Sequence, residues 1–200
     1  MSALERGLLP YRLSICGVAE LHQYAGRISH ILGILDPGSL GPEYRLHHPK
    51  AECREFRFYD IVMPEPDKKL PSERDVASIL KVGEQLSQMK VEHLLVHCFA
   101  GISRSTAAAA ILMAQRNPGR EGEVFAALAD VRPRAWPNAV MINHADRLLQ
   151  RRGVLAEALR QHQIDVARRF PEVRTLISGV GRGHELPAEF AEGSNRNEPI

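Results

Sequence analysis

VEHLLVHCFAGISRSTAAAAILMAQR, residues 91–116, is the stretch of sequence that decides the fold. Its first part, residues 93–97, is short, apolar and rich in Leu and Val, which predicts a buried parallel strand. The alanine-rich part that begins at Ser103 predicts a helix. The loop between them opens with Cys98 and closes with Arg104. Such a loop turns successive backbone N–H groups inward beside a helix N-terminus, so it predicts a site for a phosphate-sized anion.

Composition limits the classes of protein to which the chain can belong. Its 200 residues, 44% of them hydrophobic, suffice for one domain with a full core. The formal net charge is +2, so we expect no nucleic-acid partner. No apolar run is long enough to span a bilayer, and we expect no membrane partner. The three cysteines, Cys16, Cys53 and Cys98, include no CxxC pair, which argues against a zinc or disulfide framework and favours the cytoplasm.

Predicted strands and helices alternate along the chain. Runs rich in apolar, aromatic and β-branched residues predict further strands at residues 12–18, 30–35 and 55–62. Helical spacing of apolar residues predicts helices at 72–89, 121–131, 137–150 and 154–170, with Ser72 and Asn138 as N-caps and Pro171 ending the last helix. This order predicts an α/β fold, with a central and mainly parallel sheet of four to five strands flanked by helices. We expect residues 1–152 to form one domain, 153–178 a helical extension packed on it, and 179–200 a flexible tail.

The loop combines a nucleophile with a fixed cation. Beside a helix N-terminus and a guanidinium, Cys98 is expected to react as a thiolate. Arg104 can grip two oxygens of a phosphoryl group. Gly101 is expected to let the backbone approach the anion, and the Ser105 hydroxyl to donate a hydrogen bond to the sulfur. His97 is interpreted as a scaffold for the loop. The alternative, a cysteine that only packs and an arginine on a helix surface, does not explain the fixed order of these residue types.

The segment HCFAGISRS resembles the signature loop of the cysteine-dependent protein tyrosine phosphatases, which reads His-Cys, five residues, Arg and Ser/Thr. It is most similar to the compact dual-specificity branch and its bacterial relatives. Residues 29–32 and 131–149 also resemble that branch, and the likeness covers residues 12–152. The resemblance implies a cysteinyl-phosphate intermediate with no cofactor and no metal ion. It also implies a phosphate cradle made of Phe99, Ala100, Gly101, Ile102, Ser103 and Arg104.

A general acid has to protonate the leaving oxygen. The family carries an Asp on the loop that follows the preceding strand. Three carboxylates compete here: Asp60, Glu65 and Asp67. The spacing from Asp67 to Cys98 is closest to the family's pattern and favours that residue. Asp60 lies within a predicted strand, from which its side chain could point to the loop, and similar bacterial sequences often carry an Asp before Ile at such a place. Glu65 fits least well, because the family uses Asp. Each of them also has a structural interpretation, as a solvated charge or as a hydrogen-bonding group.

Two classes of function follow from the loop. The first is a phosphatase that acts on phosphotyrosine, and on phosphoserine or phosphothreonine if the pocket is shallow. The second is a catalytically weak module that binds phosphorylated partners. Non-protein phosphoesters are a further option, although residues 99–103 contain none of the lysines that lipid-directed members often place there. We expect a monomer whose partner is a phosphorylated protein or a small phosphoester. Residues 132–136, RPRAW, are interpreted as a connector between helices, the alternative being that Arg132, Arg134 and Trp136 rim the pocket and contact the substrate. Cys16 is interpreted as part of the core rather than a redox partner of Cys98.

Overall fold

A parallel sheet forms the centre of the protein, whose computed structural model describes residues 3–24 and 28–190. The strands are β1 (Arg12–Gly17), β2 (His30–Leu35), β3 (Glu52–Arg57) and β4 (His93–Cys98). They are all parallel and follow the order β1-β4-β2-β3. Their carboxyl ends therefore lie at one edge of the sheet, where the segments that follow each strand meet. This arrangement confirms the predicted α/β fold.

Helices cover the sheet and continue beyond the predicted domain. They are α1 (Tyr44–His47), α2 (Glu73–Gln88), α3 (Arg104–Arg116), α4 (Glu121–Val131), α5 (Ala139–Leu148), α6 (Val154–Arg169) and α7 (Pro171–Gly179), with short 3-10 helices at Val18–Tyr24, Gly183–Glu185 and Ala188–Phe190. The predicted capping box at Ser72 is present, since its side chain accepts from the Asp75 N–H and the Asp75 carboxylate accepts from the Ser72 N–H. Asn138 caps α5 in the predicted way, by accepting from the Met141 N–H. No helix of the described ranges is long and apolar enough to cross a membrane.

The two faces of the sheet carry separate apolar clusters. Helix α3 is buried from Arg104 to Ala114, and its alanines allow it to lie close to the sheet on the face that also holds Cys98. Cys16 packs in a second cluster with Leu95, and neighbours along a strand point to opposite faces. Burial raises the pKa of Cys16 to about 12, so this cysteine is a neutral thiol in the core.

The third strand ends earlier than the sequence predicts. The predicted strand spans residues 55–62, whereas β3 ends at Arg57. Phe58 still donates its N–H to Leu35 O at 3.1 Å, and the chain then leaves the sheet along its carboxyl edge. The cause is tertiary, because Asp60 is drawn toward hydrogen-bond donors of the signature loop and of α5. The alternation of apolar residues in this segment therefore does not continue as sheet.

The C-terminal part differs from the predicted tail over its described portion. Pro171 ends the preceding helix as predicted, since α6 stops at Arg169, and it also opens α7, which lies almost wholly within the predicted extension. Residues 180–190, which the sequence assigned to the tail, pack against the domain and include two short 3-10 helices. Arg182 and Leu186 are buried there, and Leu186 joins a cluster built around Trp136. A composition rich in Gly and charged residues predicted a solvated segment, but Arg182 and Leu186 contact residues of the folded domain instead of water. Residues 191–200 of the predicted tail lie outside the described residues.

Candidate active site

The signature loop follows β4 at the carboxyl edge of the sheet, and every one of its carbonyl groups is bonded outward. Phe99 O accepts from Val18 N at 3.0 Å, Ala100 O and Gly101 O from the Arg132 guanidinium at 3.2 and 3.1 Å, Ile102 O from Trp136 N at 2.8 Å, and Ser103 O from Ala107 N at 2.9 Å. By contrast, no N–H group of residues 99–105 donates to an acceptor in the chain as described. Carbonyls that are all held outward leave the amide donors free for an anion.

Helix α3 adds its positive end to the same loop. Its N-cap, Ser103, makes no side-chain capping bond, because the Ser103 hydroxyl donates to Asp60 Oδ1 at 2.7 Å instead. The first N–H groups of the 13-residue helix therefore keep their donor capacity. An anion at this end is further stabilised by the helix dipole.

Cys98 lies at the end of β4 with its side chain out of solvent, since the residue is only 1% exposed. Its sulfur lies 3.1 Å from Ser105 Oγ, on the first turn of α3. The hydroxyl is therefore within hydrogen-bond distance of the sulfur, as the sequence predicted. Phe99, the next residue of the loop, is 75% exposed.

Arg104 is buried, with 2% of its surface exposed, and three groups of the segments that follow β2 and β3 surround its guanidinium. Nη1 donates to Asp36 Oδ1 at 2.6 Å and to Phe58 O at 2.7 Å, while Nε lies 3.7 Å from Asp60 Oδ2. Nε has no hydrogen-bond acceptor within the described ranges. Leaving a buried donor without an acceptor costs about 1–3 kcal/mol, so an incoming oxyanion would gain a hydrogen bond that the protein does not make itself.

The candidate acids occupy different places. Asp60 lies beside the loop, where its Oδ1 accepts from Ser103 Oγ at 2.7 Å and from Asn138 Nδ2 at 3.0 Å. Asp67 is exposed in a turn with a positive φ of 59°, and Glu65 is paired with Lys68 at 2.8 Å. The sequence spacing that favours Asp67 thus disagrees with the geometry, which brings Asp60 to the loop.

Gly101 has a structural role in addition to the one expected from the sequence. Its φ is +71°, and a Cβ atom built there would lie 2.4 Å from the carbonyl carbon of Cys16 and 2.5 Å from Gly17 N. The glycine therefore permits the loop to pack against the backbone of β1, rather than against the anion alone. Gly17 fits in the same way, since a Cβ there would meet Phe99 O at 2.9 Å.

Supporting residues hold the loop from both sides. The Nε2 atom of His97 is hydrogen-bonded to the Tyr44 hydroxyl at 2.7 Å, and burial lowers the pKa of His97 to about 4, which keeps the ring neutral. Arg132, interpreted above as part of a connector, is paired with Glu20 at 2.9 Å and bonds two loop carbonyls. Its guanidinium therefore fixes the loop backbone.

Sequence reasoning missed Asp36 and the supporting role of Arg132. Asp36 directly follows β2 and belongs to a turn sequence, Asp-Pro-Gly, so its presence there needs no role in a site. A usable signal exists, because the residue after a parallel strand lies at the carboxyl edge of the sheet, where sites form. For Arg132 the sequence suggested a connector or a pocket rim, and nothing in it indicated a bond to the loop carbonyls.

Comparisons with known proteins add evidence on the fold. No protein-family model matches the chain, and no curated protein matches it. Among solved structures, a human tyrosine phosphatase-like serine/threonine/tyrosine-interacting protein is 19% identical with a TM-score of 0.53, covering 72% of this chain and 95% of that one. Human DUSP28 is 17% identical with a TM-score of 0.52, covering 70% and 92%. Tk-PTP in its active form is 17% identical with a TM-score of 0.50, also covering 70% and 92%.

These alignments include nearly all of each similar structure but leave more than a quarter of this chain outside the shared part. The chain thus contains the whole shared fold and additional residues of its own. At such low sequence identities the likeness concerns the fold, and it agrees with the resemblance seen in the signature loop. The chain has the fold of the cysteine-dependent tyrosine and dual-specificity phosphatases.

Proposed function

We propose that this protein is a phosphatase that hydrolyses phosphate monoesters through a cysteinyl-phosphate intermediate. The hydrogen-bond pattern around Cys98 carries the proposal. Each carbonyl of residues 99–103 is bonded away from the loop, and the N–H groups of residues 99–105 have no acceptor in the described part of the chain. Such free donors attract the oxygens of a phosphoryl group to the neighbourhood of the thiol.

In the first step the Cys98 thiolate attacks phosphorus. The S–P bond forms while the bond from phosphorus to the leaving oxygen breaks. Arg104 and the loop N–H groups stabilise the negative charge on the three non-bridging oxygens. The buried Nε of Arg104, which lacks an acceptor among the described residues, supports this role because it gains a partner only when the oxyanion is present.

We assign Asp60 as the general acid, in preference to Asp67. Asp60 Oδ1 is occupied by Ser103 and Asn138, so the proton to be transferred belongs on Oδ2. Oδ2 lies 3.7 Å from Arg104 Nε, so it faces the guanidinium that would bind the phosphoryl oxygens. Asp67 is exposed, and within the described ranges its side chain makes no hydrogen bond or ion pair with the loop or with Arg104, which argues against it.

In the second step water attacks the phosphorus of the cysteinyl-phosphate. The Asp60 carboxylate takes a proton from the water, the O–P bond forms, and the S–P bond breaks to release phosphate. The departing sulfur regains its negative charge, which the Ser105 hydroxyl at 3.1 Å stabilises by donating a hydrogen bond. The proton taken from water restores the one that Asp60 gave to the leaving oxygen in the first step, so Cys98 and Asp60 are then both in their starting states.

For the substrate, we propose phosphotyrosine, with phosphoserine or phosphothreonine as a second option. The exposed aromatic ring of Phe99, the residue that follows the nucleophile in the loop, supports an aryl phosphate, since aromatic rings contact one another favourably. The cytoplasm remains the compartment expected from the cysteine content.

A second candidate function is the recognition of phosphorylated partners without turnover. One observation favours it: Asp36 already occupies Arg104 Nη1 at 2.6 Å, so the guanidinium is partly neutralised before any ligand arrives. One of the structurally similar proteins is by its name a phosphatase-like interacting protein. The fold is therefore compatible with both functions.

Hydrolysis of p-nitrophenyl phosphate separates these functions. We expect turnover by the wild-type protein and only background turnover by Cys98→Ser, which lacks the thiolate. Rapid incorporation of labelled phosphate into the wild-type protein, but not into Cys98→Ser, would identify the cysteinyl-phosphate intermediate. A wild-type protein that binds phosphopeptide without hydrolysing it would support the recognition module, and a fully active Cys98→Ser would refute the thiolate mechanism.

The identity of the acid is tested by a matched pair of substitutions. Asp60→Asn removes the transferable proton, and we expect kcat to fall by about 10²–10⁴ with a poor leaving group. Asp67→Asn is the control, because Asn tolerates the positive φ at that position and keeps the side-chain size. An Asp67→Asn variant with the larger loss would reverse the assignment.

A further inference from the structure

The C-terminal extension sends one buried cation to the signature loop. Arg182 follows α7, is only 6% exposed, and donates from Nη1 to Ser103 Oγ at 2.8 Å. The same nitrogen lies 3.7 Å from Asp60 Oδ1. Arg182 lies 79 residues from Ser103 along the chain, outside the segment that resembles known phosphatases.

The end of α7 aims Arg182 at the loop. Helix α7 stops at Gly179, and Gly181 adopts a φ of +77°. The Arg182 N–H then donates to Ile177 O at 2.9 Å and the Gly181 N–H to Ser178 O at 3.0 Å. This pair of bonds is the Schellman motif, in which a left-handed glycine reverses the chain after a helix. The chain therefore turns back toward the domain at the residue before Arg182.

Glu185 and Trp136 keep the Arg182 guanidinium in one orientation. Arg182 Nε donates to Glu185 Oε2 at 3.0 Å, and Nη2 lies 2.7 Å from the same oxygen. The Trp136 indole N–H donates to that oxygen as well, at 2.7 Å. Trp136 is fully buried in the cluster that joins α6 and α7 to Ile102 of the loop. The Glu185 carboxylate thus holds the Arg182 guanidinium, and the buried Trp136 indole holds the carboxylate.

The direction of the hydrogen bonds follows from the chemistry of arginine. A guanidinium only donates, so Ser103 Oγ has to accept from Arg182. The single hydroxyl proton of Ser103 is then directed to Asp60 Oδ1, at 2.7 Å. Asn138 donates to the same oxygen at 3.0 Å. Arg182 therefore directs the hydroxyl hydrogen of Ser103 toward the Asp60 carboxylate, and it polarises the O–H group.

We propose that Arg182 is a positioning residue of the active site, which acts through Ser103 to hold Asp60 with Oδ1 occupied and Oδ2 facing Arg104. The assignment rests on the proposed function, in which Asp60 is the general acid. The Arg182 charge is paired with Glu185 at 2.7 Å, which argues against Arg182 as a binding group for substrate phosphate. The extension would thus complete the catalytic apparatus rather than merely cover the domain.

The test is a comparison of two aryl phosphates that differ in their need for an acid. p-Nitrophenyl phosphate has a good leaving group, and phenyl phosphate a poor one. We expect Arg182→Met to lower kcat for phenyl phosphate by about tenfold or more and kcat for p-nitrophenyl phosphate much less, because an acid that is misplaced by about 1 Å loses efficiency. Arg182→Lys, which keeps one donor to Ser103, should restore part of the loss.

Arg160→Met is the matched control. Arg160 lies on α6 of the same extension and, among the residues that the structure describes, is paired only with Glu157 on the exposed surface. It should leave both kcat values unchanged. A cycle with Asp60→Asn adds a second readout: if Arg182 acts through Asp60, Arg182→Met should not change the ratio of the two kcat values once the acid is absent.

The outcomes separate this assignment from the function on which it rests. Equal losses with both substrates, or a selective loss that persists in the Asp60→Asn background, would overturn the positioning role while leaving the phosphatase proposal intact. A wild-type protein that hydrolyses neither substrate would overturn the phosphatase proposal itself. If Arg182→Met does not fold, Glu185→Gln serves in its place, because it weakens the hold on Arg182 but keeps an acceptor for Trp136. A smaller loss, again selective for phenyl phosphate, is then expected, and a non-selective one would count against the proposal.

Discussion

Adding one methyl group at Gly101 should disable the site without touching any group that reacts. The new Cβ would lie 2.4 Å from the Cys16 carbonyl carbon, whereas ordinary contacts begin at 3.4 Å. The opposing atoms belong to the backbone of β1, which is paired with β4 and cannot retreat alone. The loop itself would therefore move, by about 1 Å, and its N–H groups would move with it.

The expected magnitude has two parts. A displacement of about 1 Å in a site of this kind costs about 10²-fold in kcat/KM. The left-handed φ of +71° adds about 1–2 kcal/mol of strain for alanine, which lowers the free energy of unfolding. We therefore expect Gly101→Ala to be folded, less stable than the wild type and at least about 100-fold less active.

The assay is hydrolysis of p-nitrophenyl phosphate, together with urea unfolding and circular dichroism. Gly122→Ala is the control, since a Cβ at Gly122 meets nothing within 4 Å and the residue lies in α4. Alanine is favoured over glycine in a helix by about 0.5–1 kcal/mol, so this variant should be slightly more stable and fully active. A Gly101→Ala protein with wild-type kcat/KM would refute the argument that close packing on β1 shapes the loop.

Two further predictions concern stability. Burial lowers the pKa of His97 from 6.5 to about 4, so the stability that the neutral ring contributes is present above pH 6.5 and is lost as the pH falls toward 4. In urea unfolding, the wild type should lose about 2 kcal/mol more than His97→Gln between pH 7 and pH 5. Parallel pH profiles of the two proteins would contradict this prediction. Asp146, buried on α5, accepts from the N–H groups of Gly153 and Leu155 at 2.7 and 2.9 Å and so caps the start of α6. Asp146→Ala should lower the free energy of unfolding by about 2–3 kcal/mol, whereas Asp165→Ala, at an exposed position, should change it little. Equal effects of the two substitutions would contradict the capping role of Asp146.

The sequence by itself determined the features that depend on near neighbours. The strand, loop and helix around Cys98, the capping box at Ser72 and the N-cap at Asn138 all follow from periodicity and from hydrogen bonds between residues a few positions apart. Such patterns are complete within a short segment and can be recognised there. They were sufficient to predict the α/β fold and the place of Cys98 and Arg104 between a strand and a helix.

The tertiary structure decided which distant groups reach that loop. Asp60 and Ser103 are 43 residues apart, and they meet because parallel strands bring their carboxyl ends to one edge and because β3 ends early. Linear spacing favoured Asp67, since it carries no information on where the chain leaves the sheet. Arg182 illustrates the same limit: its glycine-rich surroundings suggested a solvated tail, but a charge becomes part of a site only when folding supplies partners that replace its water, here Ser103 and Glu185.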